Sequence, residues 1–168
     1  MGWMFLPFRR YADFSGRSRR KEYWMFTLFL ALAYVGFIIL AMTFGLGAMA
    51  MLSGGASAAG GALGGGLIVF FGLFALFVLA LIIPSIAVAV RRLHDTDRSG
   101  WWFAAPIALS ALGAAFRGGA LETVLGLASG VASITLLVFY CLDGTRGPNR
   151  FGPDPKDPAG EHLAEVFR

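Results

Sequence analysis

The chain has 168 residues, of which 57% are hydrophobic and only 14% charged, with a formal net charge of +4. Soluble domains are about a quarter charged, so this composition excludes an ordinary soluble fold. At roughly 20 apolar residues per membrane crossing, the chain has room for about four helices and little else.

The single cysteine, Cys141, excludes an intrachain disulfide and a cysteine-rich metal site. The basic residues flank apolar segments instead of lining a polar surface, which points to membrane phospholipid and not to nucleic acid as their partner. Residues 1–22 lack an apolar core followed by a small-residue cleavage site, so they are expected to stay on the mature protein.

In that first segment Trp3, Leu6, Tyr11 and Phe14 alternate with Arg9, Arg10, Arg17, Arg19, Arg20 and Lys21. Rings and cations in this mixture suit the headgroup layer, and residues 2–12 are predicted to form an interfacial helix, broken near Pro7. Ser15 and Gly16 signal a turn, and Ser18 is the expected N-cap of the helix that follows. The first span is predicted from Tyr23 to Leu52. From Tyr23 to Val90 there is not one Asp, Glu, Lys or Arg. Ser53 to Gly66 reads as a glycine-rich flexible linker. A second span follows from Leu67 to Val90, with Pro84 removing one of its backbone bonds.

Next comes RRLHDTDRSGWW, Arg91 to Trp102, a knot of charge that belongs at a membrane surface. The third span is predicted from Trp101 to about Phe116, and Arg117 can lengthen it by snorkelling. RGGALE turns the chain into a fourth span, Thr123 to Leu142, where Gly126, Ser129, Gly130 and Ser133 form a small-residue packing face. Residues 143–168 read as a cytoplasmic strap stiffened by Gly147, Pro148, Gly152, Pro153 and Pro155. Gly144 is the expected C-cap of the fourth helix, Asn149 is placed to bond the backbone, and Leu163, Val166 and Phe167 suggest a short amphipathic helix. The fold class is thus all-α, with four transmembrane helices and an N-terminal interfacial helix. Of the 14 cations only Arg117 lies in the two loops opposite the others, so both termini are expected in the cytoplasm.

Three clusters therefore share one face: FSGRSRRKEYW from Phe14, the knot, and DGTRGPNRFGPDP from Asp143. In order and over nearly the whole chain they resemble the domain of unknown function 805 family of bacterial inner-membrane proteins. The resemblance implies a four-span fold in the bacterial inner membrane and brings no catalytic residues. The family pattern often has glycine where this chain has Asp97, a residue type that tolerates the left-handed backbone conformation.

Three readings of the knot follow from its residues. In the structural one, Arg91 and Arg92 lie four and three residues before Asp95 and pair with it, Asp97 or Ser99 caps the third helix, Gly100 allows a tight turn, and Trp101 and Trp102 anchor at the interface. In the chemical one, His94 with Asp95 or Asp97 acts as a general base or metal site on a lipid head group, although no serine or cysteine motif supplies a nucleophile. In the third, Arg17, Arg19, Arg20, Arg91, Arg92 and Arg98 converge on an anionic head group. The sequence favours a non-enzymatic membrane protein that binds lipid heads or a protein partner, itself or another, without cofactor or metal. A small transporter or channel component is the alternative, against which stands the absence of ionisable residues within the spans.

Overall fold

The computed structural model describes residues 2–53 and 59–157, and among these it is all helical. A four-residue helix α1 (Leu6–Arg9) precedes α2 (Arg20–Ser53) and α3 (Ala59–Asp95). A 3-10 turn, Gly100–Phe103, leads into α4 (Ala104–Ala115), and α5 (Ala120–Cys141) closes the bundle. Three of these helices are long and apolar enough to cross a membrane, and Gly100–Ala115 is a shorter apolar helix. The amphipathic segment expected near Leu163 lies outside the described residues.

The helix expected over residues 2–12 is confined to Leu6–Arg9, with Pro7 in its first turn. Proline is tolerated there because the N–H it lacks would have no intrahelical partner. The glycine-rich stretch taken as coil is helical from Ala59 onward. Each glycine weakens a helix by about 1 kcal/mol relative to alanine but does not break it, so the apolar helix that follows propagates back through this stretch. At 37 residues α3 is about 55 Å long by helical rise, well beyond a hydrocarbon core of roughly 30 Å.

Between α2 and α3 the packing is aromatic. Phe70, Phe74 and Phe77 recur at helical spacing on one face, and Phe37 meets Phe74 and Phe77 at 4.9 Å between ring centroids. Phe44 stacks on Phe70, and a side chain at Gly66 would strike the Phe44 ring at 2.9 Å. The buried core lies toward the other end, in two clusters. One joins Ala89 and Leu93 of α3 to Leu136 and Tyr140 of α5, the other Phe26 of α2 to Leu81 and Val88 of α3. Ser129, on the small-residue face, packs against α4, where its hydroxyl donates to the Pro106 carbonyl and bonds Ser110.

Pro84 leaves the Ala80 carbonyl without its helical donor, four residues back. The Tyr11 hydroxyl donates to that oxygen at 2.7 Å. The N-terminal segment is thereby tied to α3 where Pro84 opens the helix ladder.

Candidate functional site: a charged cap on the third helix

An α-helix ends with four carbonyls that lack internal partners, and its C-terminus carries partial negative charge. At the end of α3 these demands are met by the chain's two other motifs. The Leu93 carbonyl accepts from the Arg98 N–H and the His94 carbonyl from the Asp97 N–H, both at 3.0 Å, with Asp97 at φ 56°. This is a Schellman motif with aspartate in the left-handed position usually held by glycine. Asn149 donates to the His94 carbonyl at 2.9 Å, the Thr145 N–H to the Asp95 carbonyl at 2.8 Å, and the Ser18 N–H to the Arg91 carbonyl at 3.1 Å. Asp97→Gly should therefore keep or raise the melting temperature in detergent. Asp97→Val should cost about 1–2 kcal/mol, the penalty of a β-branched residue in that conformation. Equal loss in both variants would mean that the side chain of Asp97, and not its backbone, holds the turn.

Inside this cap lie three buried arginines. Arg17 donates to Asp95 Oδ1 at 3.0 Å and to the carbonyls of Thr145, Gly147 and Gly152. Arg92 donates to Asp95 Oδ2 at 2.5 Å and to the carbonyls of Tyr140 and Leu142. Arg91 donates to Glu22 Oε1 at 3.1 Å, to the Ser18 hydroxyl at 3.0 Å and to the carbonyls of Arg10 and Asp13. Arg91 and Arg92 are both 0% exposed. The expected pairing of Asp95 thus holds for Arg92 and is corrected for Arg91, whose partner is Glu22. Asp95 is occupied on both oxygens by Arg92 and by Arg17, which arrives from 78 residues away.

Gly144 is not the C-cap of α5, a position held by Leu142. A side chain at residue 144 would place its Cβ 2.1 Å from Asp95 Oδ2, so glycine is required for the strap to cross the carboxylate. Ser18 likewise is no helix cap: α2 begins at Arg20, and the serine hydroxyl accepts from Arg91. Ser99 does cap the 3-10 turn, accepting from the Trp101 N–H. Gly100 allows that turn to approach α3, since a Cβ there would meet Val90 at 2.8 Å.

The imidazole of His94 stacks on Phe151 at 3.8 Å between centroids, and Nδ1 lies 3.2 Å from the Gly16 carbonyl. With both Asp95 oxygens held by arginines, this carboxylate does not orient the ring. Asp97 instead pairs with Arg150 at the surface. Among the described residues no group of three His, Cys, Asp or Glu side chains could hold a metal.

Around the cap the remaining charges are half-buried or exposed. Arg19 donates to the Pro155 carbonyl and lies over Trp3, Arg20 bonds Asp143 and the Cys141 carbonyl, and Arg98 lies 3.8 Å over the Phe139 ring. Trp102 also packs on Phe139, while Trp101 is 82% exposed. Asn149 and Gly152 close the strap by a reciprocal backbone pair, and Pro153 beside them is exposed. Ser15 and Arg10 bond Asp13 and hold its carboxyl down to about 2. The Lys156 ammonium lowers Asp143, and the Lys156 backbone N–H lowers Asp154. Among the described residues, Arg9, Lys21 and Arg146 are exposed cations without a protein partner. Arg9 lines a cleft of about 390 Å3 with Gly2, Trp3, Phe5 and Leu6.

The sequence offers no partner for Glu22 and gives Gly144 only as a helix cap. Glu22 carried a usable signal, because it is the last charge before the apolar stretch, where an acid needs a cation partner. Gly144 carried none, since its role depends on which residue lies across from it.

Inner membrane protein YhaI of Escherichia coli strain K12 is 36% identical to this chain over 158 residues, covering 93% of it and 97% of the relative. Inner membrane protein YhaH of the same strain is 34% identical over 156 residues, covering 93% and 98%. No solved structure matches. The family described as "Protein of unknown function (DUF805)" matches residues 11–153, from the first motif of the cap to the last. With that span and these relatives, the chain belongs to the DUF805 family of inner membrane proteins.

Proposed function

We propose that this is a four-span inner-membrane protein, both termini cytoplasmic, that binds anionic phospholipid at the rim of its cap. The reading of four spans is supported by chain direction: α3 and α5 both end in the cap, so α4 must carry the chain away before α5 returns it. Within the cap Arg17, Arg91 and Arg92 act as internal struts, because their donors already meet protein acceptors. Head groups fall instead to exposed cations, first Arg9 and Lys21, with Arg19, Arg20 and Arg98 nearby in the chain's motifs. The observation that carries this reading is the cleft of Trp3, Phe5, Leu6 and Arg9, where ring and aliphatic surface adjoins an unpaired guanidinium. Such a surface suits an acyl chain beneath a phosphate.

Native mass spectrometry of the protein released from membranes tests it. Arg9→Gln with Lys21→Gln should reduce retention of phosphatidylglycerol about fivefold per cation while sparing phosphatidylcholine. Arg150→Gln, which removes an exposed cation already paired with Asp97, controls for general loss of charge, and equal losses in all variants would rule out a specific rim site. In a Cys141→Ser background, cysteines at Ala120 and Pro148 should label from opposite sides of intact cells. Labelling of both from one side would end the four-span reading.

A further inference from the structure

The α4–α5 hairpin turns at the end of the bundle remote from the cap. There Ser110, Gly113, Ala114, Arg117, Glu122 and Gly126 line an open cleft of about 340 Å3. Arg117 is exposed and has no ion pair or hydrogen bond among the described residues. Glu122 accepts on Oε2 from the Gly118 N–H at 2.6 Å and leaves Oε1 unoccupied. A cation and a carboxylate thus line one cleft without pairing with each other. Around them Leu112, Phe116, Leu121 and Val124 are exposed, an apolar surface of the kind lipid covers. The cleft opens where apolar surface gives way to charge.

We propose that it seats the head group of a zwitterionic phospholipid with a primary ammonium, its phosphate on Arg117 and its ammonium on Glu122. Guanidinium and phosphate match in shape and charge, and a primary ammonium has N–H groups that a carboxylate can accept. A purely anionic head would leave Glu122 facing negative charge. A quaternary ammonium brings no N–H donor. Gly126, where a Cβ would meet nothing within 4 Å, and the small side chain of Ala114 leave the cleft open for the glycerol and the start of an acyl chain, which commits the site to lipid and not to a soluble zwitterion. This site lies at the opposite end from Arg9 and Lys21, so it stands or falls independently of the rim.

The test is native mass spectrometry of the full chain in a graded mixture of phosphatidylethanolamine, phosphatidylcholine and phosphatidylglycerol. The protein should retain phosphatidylethanolamine about tenfold over either competitor, the scale of one charge-assisted hydrogen bond. Glu122→Gln should abolish discrimination against phosphatidylcholine, and Arg117→Gln should lower retention of all three lipids. Gly126→Leu supplies a charge-neutral variant. A Cβ at Gly126 meets nothing within 4 Å, so the substitution fits the helix while its side chain fills the cleft. Melting temperatures identify any variant that misfolds, and Glu122→Gln, at an exposed position, carries the test alone if Gly126→Leu does so. Equal retention of the three lipids by the parent protein overturns the proposal, as does unchanged preference in Glu122→Gln. Displacement of the lipid by soluble phosphoethanolamine at matching concentration would assign the cleft to a solute and overturn the lipid assignment.

Discussion

Asp95→Asn should destabilise the protein by about 3–5 kcal/mol, the cost of removing one partner from a buried ionic cluster. The carboxylate receives Arg17 on one oxygen and Arg92 on the other, and its side chain is 3% exposed. An amide is nearly isosteric but neutral, and its NH2 group would face a guanidinium. Two buried cations would then share carbonyl acceptors alone. Asp143→Asn is the matched control: Asp143 also meets two cations, Arg20 and Lys156, but its side chain is 63% exposed. Surface pairs of that kind contribute about 1 kcal/mol or less. Melting both variants in one detergent decides the matter, and similar losses would show that the cluster at Asp95 is no stronger than a surface contact.

Gly144→Ala is expected to be nearly as damaging, although it adds one carbon on a segment that is only half-buried. Its Cβ would lie 2.1 Å from Asp95 Oδ2 and 2.5 Å from Cγ. The carboxylate cannot yield without releasing an arginine, and the strap cannot lift without losing the Thr145 N–H bond to the Asp95 carbonyl. Overpacking alone costs about 1–3 kcal/mol. Because both substitutions break the same contact, their effects should not add: the double variant should be more stable than the sum of the single losses allows. Strict additivity would place Gly144 and Asp95 in separate roles.

Much of this fold was legible because membranes simplify sequences. The absence of charge from Tyr23 to Val90 announced the long helices, and the motifs at their ends announced a common polar face. Local chemistry was readable too: Asp97 takes the left-handed turn, Ser99 caps, and Arg92 meets Asp95 one turn on. Partners that lie far apart in sequence were not readable. Nothing local to Arg91 favours Glu22 over Asp95, since spacing four suits a helical pair and only the packing of α2 against α3 decides otherwise. The six arginines grouped by sequence as one anion site divide in three dimensions, with Arg17, Arg91 and Arg92 buried and the rest at the edge. Residue type could not make that distinction, because burial of a guanidinium depends on acceptors supplied by other segments. The start of α3 differs from the expectation for another reason: glycine lowers helix propensity by about 1 kcal/mol without forbidding the helix, and the long apolar segment that follows propagates through it.

The contacts of Arg17 also bear on how the chain is made. Its acceptors at Thr145, Gly147 and Gly152 are synthesised about 130 residues after it, and Asp95 after 78. Until α5 and the strap have left the ribosome, Arg17 has only Asp95, and Arg92 lacks the Leu142 carbonyl. The cap therefore cannot close before the strap has emerged. A chain truncated before residue 143 would leave Arg17 at the membrane surface without the carbonyls of Thr145, Gly147 and Gly152, a cation held by Asp95 alone.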